Sequence, residues 1–170
     1  MIQFTKEEFA PFYANYVALA NKEISIVEGL TIRLNETVSF FQSIPNDKLD
    51  FQYAIGKWTI KDLLLHLIDA ERIFAYRALR IARKDTTELS GFEEDDYVVE
   101  ANASSREMKS IIEEYISVRK GTLTLFDSFT QEQLLRIGIA SNCSVSVRAI
   151  GYIIQGHEIH HVNIIKERYL

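Results

Sequence analysis

Glycine and proline are scarce in this sequence, with 7 and 2 occurrences in 170 residues. So few turn-forming residues argue against an all-β fold, which needs many tight turns. A single cysteine, Cys143, excludes an internal disulfide framework and a cysteine-rich metal site. The sequence also lacks a signal-peptide pattern and any apolar run approaching the roughly 20 residues that cross a bilayer. We therefore expect a soluble, cytoplasmic protein with no membrane partner.

The chain has no excess of basic residues. It contains 19 Lys and Arg against 24 Asp and Glu, a net charge of −5 at pH 7. A basic surface is the usual electrostatic mark of nucleic-acid binding, so we expect no nucleic-acid partner. Hydrophobic residues make up 47% of the chain, which excludes disorder. The length favours one domain, residues 1–170, with a sizeable core.

Apolar residues recur at helical spacing through most of the chain, which predicts an all-α fold. A short opening helix follows a capping box formed by Thr5 and Glu8. Three of the four long helices have a predicted N-terminal signal: Thr59 with Asp62 in the first turn, Ser104 with Glu107, and Ser146. The predicted long helices are Lys22 to Ser43, Thr59 to about Ala82, the segment after Ser104, and Ser146 almost to the last residue.

The connection between the second and third long helices is unusually long and acidic. It runs from Arg83 to Ala103, whereas neighbouring antiparallel helices are usually joined by about 2–8 residues. A connection of this length predicts a crossover along a four-helix bundle, with the second and third helices parallel. We expect its acidic part, Gly91 to Tyr97, to pack near one end of the bundle. The alternative is a solvated loop.

Two histidines on the fourth helix have the spacing of metal ligands. His157 and His161 are four residues apart, so their side chains lie one above the other on the same face. That spacing lets two imidazoles bind one metal ion. Isoleucines above and below place the pair on the apolar face of the helix, where polar groups need partners. A core histidine that is merely hydrogen-bonded is the alternative for each residue taken alone.

His66 is the expected third ligand. It lies seven residues after Thr59, roughly 10 Å along the second helix. His161 lies seven residues before Arg168, at the same depth if the second and fourth helices are antiparallel. The crossover requires that arrangement. Three imidazoles with an open position are typical of a catalytic centre, and the absence of thiolate ligands leaves zinc, nickel and iron(II) possible.

Other motifs in the same segment fit less well. His157-Glu158-Ile159-His160-His161 matches the H-E-x-x-H pattern of zinc proteases, but no further histidine follows it to act as third ligand. Glu158 and His161 form one Glu-x-x-His half of a di-iron site, but Leu63 occupies the matching position before His66. His160 faces about 60° away from His157, so we expect it to bind solvent, a backbone group or a partner outside the metal's own ligands rather than the metal.

Several segments, taken in order, resemble the DinB-like (DinB/YfiT) metalloenzyme family over nearly the whole chain. The segments are Gly56 to Asp62, His66 to Arg72, Phe74 to Leu79, Gly91 to Tyr97, Ser146 to Ile150, Gly156 to His161 and Glu167 to Leu170. The resemblance implies a four-helix bundle of up-down-down-up topology, a divalent-metal site formed by His66, His157 and His161, and a homodimer.

The resemblance also implies a class of reaction. Characterised relatives include S-transferases that use bacillithiol or another low-molecular-weight thiol, so a thiol co-substrate and a small-molecule substrate are expected. Metal-dependent hydrolysis and a non-catalytic module pinned by its metal are the alternatives. His160, Glu158 and Arg119 are candidates for contacting the ligands or binding substrate. Arg119 lies within the apolar stripe of the third helix, where it would bind an anion or pair with a core carboxylate.

Overall fold

The computed structural model describes residues 2–170. Four long helices form a bundle, and three short helices and a two-stranded hairpin lie around it. In chain order the helices and strands are α1 (Ala14–Leu19), α2 (Ile26–Ser43), α3 (Ile60–Ala82), α4 (Glu94–Ala101), α5 (Met108–Asp127), α6 (Gln131–Leu134), β1 (Ile137–Ala140), β2 (Cys143–Ser146) and α7 (Val147–Arg168). Single 3-10 turns lie at Pro11–Tyr13, Asn46–Lys48 and Ala103–Ser105. Within residues 2–170, no helix is both long and apolar enough to cross a membrane.

Two apolar clusters establish the directions of the four long helices. One cluster joins the end of α2 to the starts of α3 and α5 and the end of α7, with Phe41, Ile60, Met108 and Ile165 among its members. The other joins the start of α2 to the ends of α3 and α5 and the start of α7, with Leu30, Ile81, Phe126 and Ile150 among its members. Helices α3 and α5 are therefore parallel to each other and antiparallel to α2 and α7. This confirms the up-down-down-up topology.

The connection from 83 to 103 is a crossover, as predicted, but it is not a bare loop. Its acidic part forms α4, which was not expected from the sequence. Trp58 Nε1 donates a hydrogen bond to Asp95 Oδ1 at 3.0 Å, which holds α4 beside the start of α3. The prediction that the acidic part packs near one end of the bundle is thus confirmed. Leu89, earlier in the connection, exchanges backbone hydrogen bonds with Ile139 and Ser141 of the hairpin.

Local capping signals located some helix starts well. Helix α3 begins after Thr59, as expected, and Asp62, expected only as a first-turn acid, forms a reciprocal capping box with Thr59. Ser146 caps α7 by accepting a hydrogen bond from the Ala149 backbone N–H at 3.1 Å. The first long helix begins at Ile26 rather than Lys22, because Ser25 caps it.

Two predicted capping boxes were wrong. Ser104 lies in a 3-10 turn that packs Ala103 into the core, so α5 begins only at Met108 and Glu107 makes no side-chain cap. Thr5 N–H does donate to Glu8 at 3.0 Å, but no helix follows directly. Instead, the Glu8 carboxylate accepts hydrogen bonds from Ser146, the cap of α7, and from Arg148 in its first turn, which connects the first residues to α7.

Candidate metal centre

Three histidine rings converge where α3 and α7 cross. The capping box at Thr59 places His66 in the second turn of α3, and the uninterrupted α7 places His157 and His161 one turn apart. Nε2 of His157 lies 3.0 Å from Nε2 of His66 and 3.0 Å from Nε2 of His161. One ligand nitrogen from each ring lies within 4.8 Å of the other two. The antiparallel packing thus brings together the three residues that the sequence singled out.

Burial keeps all three rings neutral. It lowers the pKa of His66 to about 4 and that of His161 to about 3. Burial also lowers the pKa of His157 well below its usual range, and the neighbouring histidines lower it further. A neutral imidazole has a lone pair on one ring nitrogen, which is the form that binds a metal ion.

The donor set fits a divalent metal ion. The three rings each direct an imidazole nitrogen into the same small space, and imidazole donors suit zinc, nickel and iron(II). Nδ1 of His161 is buried and has no hydrogen-bond partner among residues 2–170. If Nε2 of His161 binds the ion, Nδ1 of the same ring carries the proton. A ligand histidine usually donates that proton to a neighbouring group, and no such group is present among residues 2–170.

The histidines line a pocket of about 330 Å³ that is open to solvent. Its wall is mainly aromatic and apolar, with a few polar groups further from the histidines. The residues that line it are Phe12, Tyr13, Tyr16, Trp58, His66, Ala70, Phe74, Arg77, Phe92, Glu94, Ser141, His157 and His161. A mainly apolar cavity with a few convergent polar groups is the usual form of a small-molecule site.

Aromatic rings pack against the ligand histidines. The Trp58 ring lies 4.7 Å from the His66 ring and stacks on the His161 ring at 6.4 Å. The rings of Tyr16 and Phe74 meet the His157 ring edge-on at 5.3 and 6.2 Å. These contacts restrict the orientation of the imidazoles, and sequence reasoning missed them. The helical spacing of Phe74 and Tyr16 signalled burial but not which residue they would touch.

Arg119 and Glu158 lie beside the histidines in a buried ion-pair network. Arg119 donates to Glu71 with both Nε and Nη2, at 2.8 and 2.9 Å, and to Glu158 at 2.5 Å. Tyr115 and Thr37 also donate to Glu158, at 2.7 and 2.6 Å. Arg119 thus pairs with core carboxylates, the second of its two expected roles, and is not available to bind a substrate anion. Sequence reasoning missed Glu71.

His160 does not join the three converging histidines. Its ring packs edge-on against Tyr16 at 5.4 Å and against His161 at 5.1 Å. The role of His160 in metal or substrate binding stays a prediction.

Comparison with known proteins identifies the family. The family model of the DinB superfamily matches residues 30–165, most of the chain. The chain therefore belongs to the DinB superfamily. A protein of Oceanobacillus iheyensis, OB0413, whose name proposes a metal-dependent hydrolase, is 25% identical over 142 residues, or 82% of this chain and 79% of that protein.

Two solved structures share the fold. YfiT from Bacillus subtilis, described as a four-helix bundle of unusual topology, has a TM-score of 0.71 at 15% identity and covers 97% of this chain and 90% of its own. The DinB-like protein YjoA from Bacillus subtilis has a TM-score of 0.57 at 19% identity, covering 84% of this chain and 87% of its own.

Proposed function

We propose that this chain is a metal-dependent enzyme that acts on small molecules, with His66, His157 and His161 as metal ligands. The main support is that three neutral imidazoles converge in an open pocket. Structural metal sites usually have four protein ligands and no access, whereas three ligands beside a cavity leave one position for a substrate. The name of OB0413 and the description of the YfiT structure, which both propose a metal-dependent hydrolase, agree with this class of enzyme.

The pocket residues set the chemistry that the site can perform. A divalent ion, when bound, would supply Lewis-acid chemistry and lower the pKa of a thiol or water at its open position. Trp58, Tyr16 and Phe74 pack against the three imidazoles, which are buried, and the lowered local dielectric strengthens electrostatic attraction for an anionic nucleophile. These aromatic rings also offer apolar surface to the carbon skeleton of a substrate.

Transfer of a low-molecular-weight thiol to an electrophile is our first candidate reaction. The thiol loses its proton to solvent, its sulfur forms a bond to the electrophilic carbon, and the leaving group departs with the bonding electron pair. Hydrolysis is the second candidate, and the names of the relatives favour it. In that case water is the nucleophile, and an acyl or related bond is broken.

One set of assays separates these reactions. Protein purified without a histidine tag is loaded with zinc, nickel or iron(II), and thiol consumption is measured with an activated aryl chloride. Ester hydrolysis is measured in parallel without thiol. The stripped protein and His161→Ala should lose the activity, whereas Asn163→Ala, an exposed control position on the same helix, should retain it. A thiol-dependent rate supports transfer, and a thiol-independent rate supports hydrolysis.

The same assays can reject an enzyme. Equal background rates in the loaded, stripped and His161→Ala proteins, across several thiols and esters, would contradict catalysis. If chelation then lowered only the melting temperature, the metal would serve only to hold α3 and α7 together.

The expected homodimer stays a prediction, which light scattering on protein eluting from a size-exclusion column would check.

A further inference from the structure

Arg77 is a buried cation in the pocket that the reaction scheme above does not use. Its side chain is only 3% exposed, and it lines the same cavity as the three histidines. Nη2 of Arg77 donates to the backbone carbonyl of Ser90 and to Ser141 Oγ, both at 2.8 Å. Both bonds come from Nη2, so the N–H groups of Nε and Nη1 remain for the neighbouring Tyr13 and for a ligand.

No carboxylate neutralises Arg77 within the described part of the chain. Among residues 2–170, no Asp or Glu oxygen lies within the 4.0 Å of an ion pair with it. Arg119, the other deeply buried arginine, is paired with two carboxylates. A buried charge is costly unless it is paired, so the guanidinium of Arg77 favours an anion from outside the chain.

The charge of Arg77 is directed toward the cavity wall. Its Cζ lies 5.8 Å from the centre of the Phe74 ring. Burial raises the pKa of Tyr13, and the positive charge of Arg77 opposes that rise. Glu94 also lines the cavity, but it is exposed and makes no ion pair with Arg77. Glu94, the acid that lines this cavity, is therefore solvated rather than committed to this cation.

Arg77 and His66 lie three turns apart on one face of α3. Arg77 follows His66 by eleven residues, which is three helical turns and about 16 Å along α3. Ala70 and Phe74 lie between them on the same face and line the same cavity. The Cζ atom of Arg77 lies beside the ring of Phe74, about one turn nearer to His66 along α3.

We propose that Arg77 binds the anionic group of an elongated organic substrate whose other end reaches the three histidines. The substrate would carry a carboxylate or a phosphate at one end, an apolar middle against Phe74 and Ala70, and the reacting group at the other end. Both anions suit the planar guanidinium, which binds them through paired hydrogen bonds. This inference rests on the proposed function, because it names the substrate class of the same pocket.

Trp58 provides a direct measurement of binding. It is the one tryptophan of the chain and lies in this pocket, so its fluorescence should report an occupant. The probes are phenylbutyrate, phenylpropyl phosphate and uncharged phenylbutyramide. We expect at least one anionic probe to bind at least tenfold more tightly than the amide. Arg77→Gln should weaken that binding at least tenfold, whereas Glu94→Gln should leave it unchanged or strengthen it.

Three results would overturn the proposal. The first is equal affinity of the parent protein for the amide and both anions, which needs no variant and holds even if Arg77→Gln fails to fold. The second is unchanged anion binding in a folded Arg77→Gln. The third is anion binding that disappears on chelation but not in Arg77→Gln, which would place the anion on the metal.

The design also separates this inference from the proposed metal site. Each titration is repeated on chelator-treated protein, with circular dichroism to verify folding. Arg77-dependent anion binding in a protein that takes up no metal would support the anion site and contradict the metal centre. Stoichiometric metal binding without any preference for the anionic probes would support the metal centre and contradict the anion site.

Discussion

Gly156 of α7 lies directly against the backbone carbonyl oxygen of Tyr16. A Cβ atom added at Gly156 would be 1.8 Å from that oxygen, much closer than any real contact. The glycine therefore allows α1 to pack on α7 beside His157, and this contact places the Tyr16 ring against the His157 ring. Close helix packing explains a residue that would otherwise cost helix stability.

We predict that Gly156→Ala destabilises the protein by about 1–3 kcal/mol, because the added methyl group displaces backbone rather than a flexible side chain. Gly121→Ala is the matched control. Gly121 lies in the middle of α5 with open space around it, so alanine there should stabilise by about 0.5–1 kcal/mol. Urea unfolding of both variants measures the difference, and equal stability would contradict the packing argument.

The metal centre makes a prediction about stoichiometry. Untagged protein should bind one divalent ion per chain, and His157→Ala should lose it, because His157 Nε2 lies between the other two nitrogens. His160→Ala should still bind the ion, since His160 lies outside the converging set. Elemental analysis after dialysis against each metal gives the count. Undiminished metal in His157→Ala would reject the ligand assignment.

The buried network predicts a large cost for removing its cation. Arg119→Met leaves Glu71 and Glu158 buried without a counter-charge, so it should destabilise by about 3–5 kcal/mol. Arg72→Met is the control, because Arg72 also contacts two carboxylates but is 48% exposed. Exposed pairs contribute about 0–1 kcal/mol. Similar losses in the two variants, measured by denaturant unfolding, would show that burial is not the deciding factor.

The contact between Glu8 and α7 predicts a pH dependence. Burial acts to raise the pKa of Glu8, but hydrogen bonds from Arg148, Thr5 and Ser146 outweigh it, and the pKa lies below its usual value near 4.5. Glu8 therefore stabilises the fold above about pH 4.5, and this contribution is lost as the pH falls through the lowered pKa.

Glu8→Gln tests that contribution. The variant should be less stable than the parent at neutral pH, and the two unfolding free energies should approach each other in acid. Glu132→Gln is a suitable control, because Glu132 is exposed and pairs with Arg136 at the surface. If the difference in unfolding free energy between Glu8→Gln and the parent were independent of pH, the charge of Glu8 would not contribute to stability.

Features that depend on neighbouring residues could be predicted from the sequence. The helix starts after Thr59 and Ser146 and the pairing of His157 with His161 all follow from hydrogen bonds or spacing within one helical turn. The length of the connection from Arg83 to Ala103 was sufficient to predict that the second and third long helices are parallel, because chain length limits which helix ends can be joined. Together these features predict that the three histidines lie at the same depth along the bundle.

Features that depend on packing between distant segments required the tertiary structure. The sequence contains no local sign that Arg119 pairs with Glu71, 48 residues away, or that Trp58 would stack on His161. The hairpin of β1 and β2 was also not predicted. Its two turn residues, Ser141 and Asn142, adopt the left-handed conformation that a two-residue turn requires.

The same distinction explains the wrong helix start at Ser104. A capping box there is favourable locally, yet burial of Ala103 in the core keeps this segment in a 3-10 turn. Likewise, only the structure showed that Arg77 lies on the face of His66, buried and with no carboxylate in ion-pair contact among residues 2–170. Local patterns determine where a helix begins and which residues share a face. Packing determines which side chains across the bundle meet, because the burial of side chains and the pairing of charges depend on all the segments at once.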